Sequence, residues 1–241
     1  VGAVSYLNTR PLLYGIQRHH VASDIELIID YPSRIATLLL NNSIDVGLVP
    51  VSIIPQLADH RIETDFCIGS DVSVASVCLF SDLSMQNLDS ILLDYQSRTS
   101  VQLIRLLAAK YWSIQPEWID AREDYRARIG GRTGGLMIGD RALEQRKISA
   151  FHYDLGEAWK VWTGLPFVFA AWISNKPLPD SFLASFNEAN AWGIQHVDDL
   201  LESIAFDAYD LREYFHSRIS YTLDEAKRKG LRLFLDMIGP Q

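Results

Sequence analysis

Short apolar runs that end in polar turns alternate with longer runs of helical spacing. VGAVSY, at residues 1–6, reads as a short buried strand, and after a polar turn Pro11 opens the apolar helix LLYGI. Proline suits a first helical position, where its missing N–H would have no partner anyway. IELIID predicts a second strand, and Pro32 and Ser33 start the helix RIATLLLNN with Ser33 placed to cap it. Residues 44–50 predict a third strand ending in proline. SVASVCLFS (73–81) has the continuous apolar character of a strand buried on both faces. ILLDY is a strand followed by the polar turn QSRTS and the helix VQLIRLLAAKYW, and LMIGD is a strand before the helix RALEQ. Residues 166–173 are again strand-like, and from Ser181 the pattern is helical almost to the end.

Repeated strand, turn and helix units indicate an α/β fold with mostly parallel sheets. Two such blocks, joined by extended segments at 73–81 and 167–175 and followed by a helical tail, predict two lobes with a cleft between them. The first lobe is expected from residues 1–80 and 174–241, the second from 81–173, with hinges at Phe80-Ser81 and Ile173-Ser174. This is the layout of type II periplasmic-binding-protein folds, and a fold of that kind does not fix a function.

Charge narrows the partners. With 22 Lys and Arg against 30 Asp and Glu, the 241-residue chain carries a net charge of −8, which repels nucleic acid and anionic membranes. A small anion remains compatible, because a cleft can carry a local field opposite to the whole. Cys67 and Cys78, in TDFCIG and ASVCLF, read as buried reduced thiols without a disulfide framework. The longest apolar run, 165–173, is too short to span a bilayer. No signal peptide is visible, although the start at Val1 is compatible with a trimmed leader. A cytoplasmic protein is expected, and the oligomeric state is not legible.

Familiar catalytic motifs are missing. The six histidines form no HExxH or paired helical spacing, so no metal is expected. GGRTGG (130–135) precedes a strand, whereas a phosphate loop follows one and opens a helix; it reads as a loop feeding LMIGD. There is no GxSxG elbow. What remains is a set of small polar residues at strand-to-helix turns: Ser5 to Pro11, Tyr31-Pro32-Ser33, Pro50-Val51-Ser52, and Gln96 to Ser100. In open α/β sheets such turns line the binding crevice. Helix N-termini and hydroxyls there offer donors to a carboxylate without burying a cation. Helix capping alone is the competing explanation at each turn.

VGAVSYLNTRPLLYGI, IDVGLVPVS, DYQSRTSVQLIRLL, MIGDRAL and YDLGEAWKVWTGLPFVFAAW together resemble the chorismate dehydratase family of the futalosine route to menaquinone. The resemblance runs from the N-terminus to about Trp172. It implies the two-lobed fold, no cofactor, a dicarboxylate substrate (chorismate), and loss of water to give 3-[(1-carboxyvinyl)oxy]benzoate. It also implies Asn8, within SYLNTRP, and Ser76, within SVASVCLFS, at the reacting centre, with Ser73 an alternative alignment. The SRTS turn resembles the family's carboxylate loop and gives Ser97, Thr99 and Ser100; the Arg98 side chain points either to substrate, to solvent or to an ion pair between lobes. Ser5 and Ser33 join the substrate-binding set from their turns. Asn8 can donate and accept at once. The substrate's own enolpyruvyl carboxylate is the expected proton acceptor. Asp140 is the rival base, unless it serves as a cap on the helix that follows it. Other readings stay open: an enzyme like 1,4-dihydroxy-6-naphthoate synthase, a solute-binding protein for a small carboxylate, and an effector domain of a transcription factor.

Overall fold

A computed structural model describes residues 1–239. In chain order the elements begin with β1 (Gly2–Val4), α1 (Arg10–Arg18), β2 (Ile28–Asp30), α2 (Pro32–Leu40), β3 (Val46–Pro50) and β4 (Arg61–Ser70). They continue with β5 (Val77–Ser81), β6 (Ser90–Leu93), α3 (Thr99–Leu107), β7 (Glu117–Asp120), β8 (Thr133–Ile138), α4 (Asp140–Gln145) and β9 (Phe151–Asp154). The last are α5 (Leu155–Thr163), β10 (Phe167–Ser174), α6 (Asp180–Gln195), α7 (Val197–Leu201), α8 (Leu211–Glu213), β11 (Ser220–Thr222) and α9 (Glu225–Ile238). Among the described residues no helix is long and apolar enough to cross a membrane.

Two mixed sheets form, ordered β11-β4-β10-β3-β1-β2 and β7-β6-β8-β5-β9. Both are built on one plan. A first strand (β1 or β6) pairs in parallel with the two strands that follow it around the cleft, β2 and β3 or β7 and β8. The third strand then pairs antiparallel with a strand from outside this unit, β10 from after it or β5 from before it. The two-lobed fold is the expected one, but the antiparallel entrants make the sheets mixed. Strand membership also differs from the expected lobe boundaries. β5 lies wholly in the second sheet and β10 wholly in the first, so the changeovers fall at residues 71–76 and 155–166. Phe80-Ser81 and Ile173-Ser174 are held inside ladders, with Ser81 opposite Phe151 and Ser174 opposite Val46. They are not free links.

The central strands β3 and β5 are buried along their whole length, as their unbroken apolar sequences require. One continuous apolar core runs from Leu12 and Trp172 in the first lobe to Leu103 and Leu136 in the second. A smaller cluster around Cys78, Phe80, Tyr125 and Met137 covers the far face of the second sheet. Cys67 and Cys78 are free and buried, as expected, and burial pushes the Cys67 thiol up to about 12. α1 packs on α6 so closely that a Cβ on Gly15 would lie 1.9 Å from the Ala189 carbonyl oxygen. The GGRTGG loop is a tight turn, closed by reciprocal 3.0 Å bonds between Gly130 and Thr133, that feeds β8.

Candidate active site

All four polar turns send residues to one cavity between the lobes. Tyr6, Asn8 and Thr9 come from the β1–α1 turn, Pro32 from the start of α2, and Pro50 from the end of β3. Ser97, Thr99 and Ser100 come from the β6–α3 turn, facing them. A fifth turn, Ile138-Gly139 between β8 and α4, completes the ring, and Ile68, Val74, Val77, Phe169 and Ala170 form the floor. No side chain in this lining carries a formal charge at neutral pH. The cavity encloses about 50 Å³ of free space, enough for a water or two and far below the ~300 Å³ at the low end of ligand sites. Anything of ordinary ligand size enters only if the mouths part.

Contacts across the cleft hold them shut. The Tyr6 phenol donates to Gln96, and the Leu7 N–H donates to Asp140 Oδ1 at 2.9 Å. Ser33 donates from its N–H to the Gln96 carbonyl at 3.2 Å and from its hydroxyl to the Tyr95 carbonyl at 3.3 Å. Arg98 donates to Thr37 Oγ1 at 3.0 Å. The ring of Tyr6 lies over Gly139, whose φ of +66° and 2.9 Å clearance from that ring for any added Cβ both require glycine.

Local chemistry decides how each turn is held. In the second lobe, Asp94 is 1% exposed and accepts from the Gln96 and Ile138 N–H groups at 2.9 and 3.2 Å. Arg141 reaches both Asp94 oxygens, at 3.0 and 2.8 Å, and also Gln96 Oε1 at 2.9 Å. The Ser97 hydroxyl accepts from the Ser100 N–H at 3.1 Å, which leaves the hydroxyl proton to donate. Thr99 Oγ1 accepts from the Ser52 N–H at 3.2 Å and donates to Ser52 Oγ at 3.3 Å, a further bond between lobes. In the first lobe Asn8 Oδ1 accepts from Thr9 Oγ1 at 3.2 Å, which directs the amide N–H₂ as the donor for a ligand.

Residues 71–76, the first link between sheets, are wound tightly. The Ser76 N–H donates to the Val74 carbonyl at 2.7 Å around Ala75, whose φ is +62°. This i to i+2 bond at positive φ is a strained γ-turn. Asp154 holds it: one carboxylate accepts from Val74, Ala75, Gly156 and Glu157 N–H groups, capping α5 and gathering the link together. Ser76 is fully buried. Its hydroxyl accepts from the Tyr214 phenol at 2.7 Å and donates to the Val74 carbonyl at 3.5 Å, and it does not line the cavity. The neighbouring Ser73 accepts from Arg218.

Of the expected site residues, then, Asn8, Ser97, Thr99 and Ser100 meet at the cavity. Ser5 does not: it is exposed and borders a separate hollow with Arg10 and Tyr14. Ser33 lies inside the first turn of α2, whose N-cap is Tyr31, so its expected capping role is replaced by bridging to the other lobe. Arg98 also bridges the lobes, bonded to Thr37. Asp140 makes no capping bond on α4 and accepts from the first-lobe turn instead. Burial raises its carboxyl above the ordinary range, against the opposing pull of the Leu7 N–H and Arg10. The apolar floor went unread because Ile68 and Phe169 look like any core position in a strand. A larger hollow of about 810 Å³ sits at the amino ends of β1–β3, lined partly by Glu26, Asp45 and Lys176; none of the polar turns reaches it.

Residues 1–239 match a family described as "Menaquinone biosynthesis". A protein of Thermus thermophilus named chorismate dehydratase is 26% identical over 264 residues, spanning 99% of this chain and 94% of the relative. Among solved structures, one from Archaeoglobus fulgidus superposes with a TM-score of 0.76 at 14% identity, covering 98% of this chain and 95% of that one. A Candida albicans gene product with the generic periplasmic binding protein fold gives a TM-score of 0.59 at 14% identity, covering 97% and 88%. The alkanesulfonate-binding protein SsuA of Xanthomonas axonopodis pv. citri gives 0.59 at 10% identity, also covering 97% and 88%.

Proposed function

Since this chain belongs to the menaquinone biosynthesis family, we propose that it removes water from chorismate to give 3-[(1-carboxyvinyl)oxy]benzoate. The observation that carries the reading is the cavity itself: hydroxyl and amide donors at the starts of α1 and α3 face each other over an apolar floor, with no charged side chain in the lining. The full-length likeness to a protein named chorismate dehydratase supports it. A helix N-terminus with free N–H groups and two or three hydroxyls suits a carboxylate. An apolar floor suits a ring that becomes aromatic.

The reaction breaks a C–H bond at the ether-bearing ring carbon and the neighbouring C–O bond to the hydroxyl; the pair of electrons from C–H becomes the new ring double bond. Proton and hydroxide leave together as water. Because aromatisation drives the step, the protein's part is to fix geometry and polarise the leaving group. Ser97, Thr99 and Ser100 with the N-terminus of α3 hold the ring carboxylate. Asn8 donates to the departing hydroxyl. Ser76 joins it when the cleft widens and its wall at Val74 and Val77 moves back. The substrate's enolpyruvyl carboxylate takes the ring proton, and Asp140, with its raised pKa and place beside Gly139, is the alternative acceptor.

Mixing the protein with chorismate and following the ultraviolet spectrum tests this. Loss of the cyclohexadiene band with growth of a benzoate band is expected. Binding in a calorimeter without spectral change points to a solute-binding protein, and absence of both overturns the reading.

A further inference from the structure

The C-terminal segment, which the sequence pattern marks only as a helical tail, touches both residues expected at the reacting centre. Tyr221 on β11 donates from its phenol to the main-chain oxygen of Asn8 at 2.9 Å. Tyr214, in the π-helical turn Tyr214–Arg218 before β11, donates to Ser76 Oγ at 2.7 Å. Both side chains are buried, at 6% and 0% exposure, and neither lines the cavity. The same segment grips the link between sheets at two more points. Arg218 donates to Ser73 Oγ at 2.5 Å, and Lys227, itself 1% exposed, pairs with Asp71 at 2.8 Å and Asp224 at 3.2 Å. One short stretch of chain thus braces Asn8 on one side and residues 71–76 on the other. Burial keeps both phenols well above the ordinary tyrosine range, so each stays a neutral donor over the working pH range.

We propose that Tyr214 and Tyr221 are positioning residues for Ser76 and Asn8, an inference that rests on the dehydratase reading for its catalytic consequence but not for its geometry. Tyr221 fixes the carbonyl of Asn8 and so the direction in which its side-chain amide leaves the turn. Tyr214 occupies one lone pair of the Ser76 hydroxyl, whose own proton turns to the Val74 carbonyl at 3.5 Å, and so fixes the rotor of the serine. Displacing a reacting group by about 1 Å costs on the order of 100-fold in rate. Phenol-to-phenyl changes preserve the buried ring and remove only the bond.

Two readouts separate this inference from the function reading. The first needs no substrate: the side-chain amide signals of Asn8 in ¹⁵N spectra, identified by their loss in Asn8→Asp. Tyr221→Phe is expected to shift and broaden them, while Tyr14→Phe, on a ring stacked against Trp192, leaves them in place. The second is steady-state turnover of chorismate below the melting temperature of each variant. Tyr221→Phe and Tyr214→Phe are expected to lower kcat roughly 10-fold or more with KM within about threefold. Unmoved Asn8 signals in Tyr221→Phe overturn the inference, as do kcat and KM values within about twofold of the parent. If the parent leaves chorismate untouched while Tyr221→Phe still moves the Asn8 signals, the dehydratase reading falls and the positioning geometry stands. Should Tyr214→Phe fail to fold, Tyr221→Phe decides the matter alone.

Discussion

The β1–α1 turn and the β6–α3 turn occupy equivalent places in two sheets of the same plan, yet they are held in opposite ways. The second-lobe turn also bonds across the cleft, but it carries its own anchor: Asp94, Arg141 and Gln96 all belong to its lobe, and the buried carboxylate organises the loop from within. The first-lobe turn has no such anchor. Its Leu7 N–H goes to Asp140 and its Tyr6 phenol to Gln96, both across the cleft, while its Asn8 carbonyl takes the Tyr221 phenol from the far end of the chain. A grip for a carboxylate can be built in advance. On the proposed reading, the Asn8 turn opposite it takes its bonds from across the cleft, which would couple the reacting side of the site to closure.

Three changes probe that contrast. The largest effect is expected from Asp94→Ala, which strands the Arg141 guanidinium beside a buried pocket; losing one partner of a buried pair costs about 3–5 kcal/mol. Urea unfolding measures it, and a cost below ~1 kcal/mol would show that the second-lobe turn is no more self-supporting than the first. Next comes Asn8→Asp, which sets a negative charge against a dianion in a closed cavity and is expected to weaken chorismate binding by a factor of ten or more, about 1.4 kcal/mol. Titration calorimetry reads it. Unchanged affinity and turnover would remove Asn8 from the centre of the site.

The smallest effect belongs to Asp140. Its folded pKa lies above the unfolded value, so the folded state holds the proton more tightly. This carboxyl therefore favours folding below the unfolded pKa near 3.8, and that contribution is lost as pH rises through the raised folded value. Asp140→Asn keeps an acceptor for the Leu7 N–H and removes the titration. Stability measured from pH 4 to 7 is expected to fall less with rising pH in the variant than in the parent. An identical slope would mean that Asp140 does not carry the dependence. Intact turnover in the same variant would leave proton removal to the substrate.

The turns were legible because each combines an apolar strand, a proline or small polar residue and a helix start, a local signal that tertiary packing has no reason to override. The strands that join the sheets were legible as strands but not as members of a particular sheet, since membership depends on pairing: Val77 opposite Ile138, and Ala171 opposite Val49. β4 is hidden in the sequence because RIETDF mixes charges into a strand whose first half is only partly buried, and β11 because three residues carry no periodicity. Ser33 and Asp140 each looked like a helix cap, and both are used across the cleft instead. Nothing local distinguishes the two uses. The bond from Tyr221 to Asn8 spans 213 positions and leaves no trace in either segment.

The placement of β10 between β3 and β4 has a kinetic consequence. Strands β5 to β9 follow one another without interruption, and the widest pairing among them, Cys78 with Asp154, spans 76 positions, whereas β3 and β4 have no sheet to share until a strand about a hundred residues later slides between them. Loop closure over that span is slow relative to local pairing. Assembly is accordingly ordered, with the second half of the molecule acquiring protected amides first in pulse-labelling hydrogen exchange and the first half waiting for it; simultaneous protection of β3 and β6 would contradict that sequence of events.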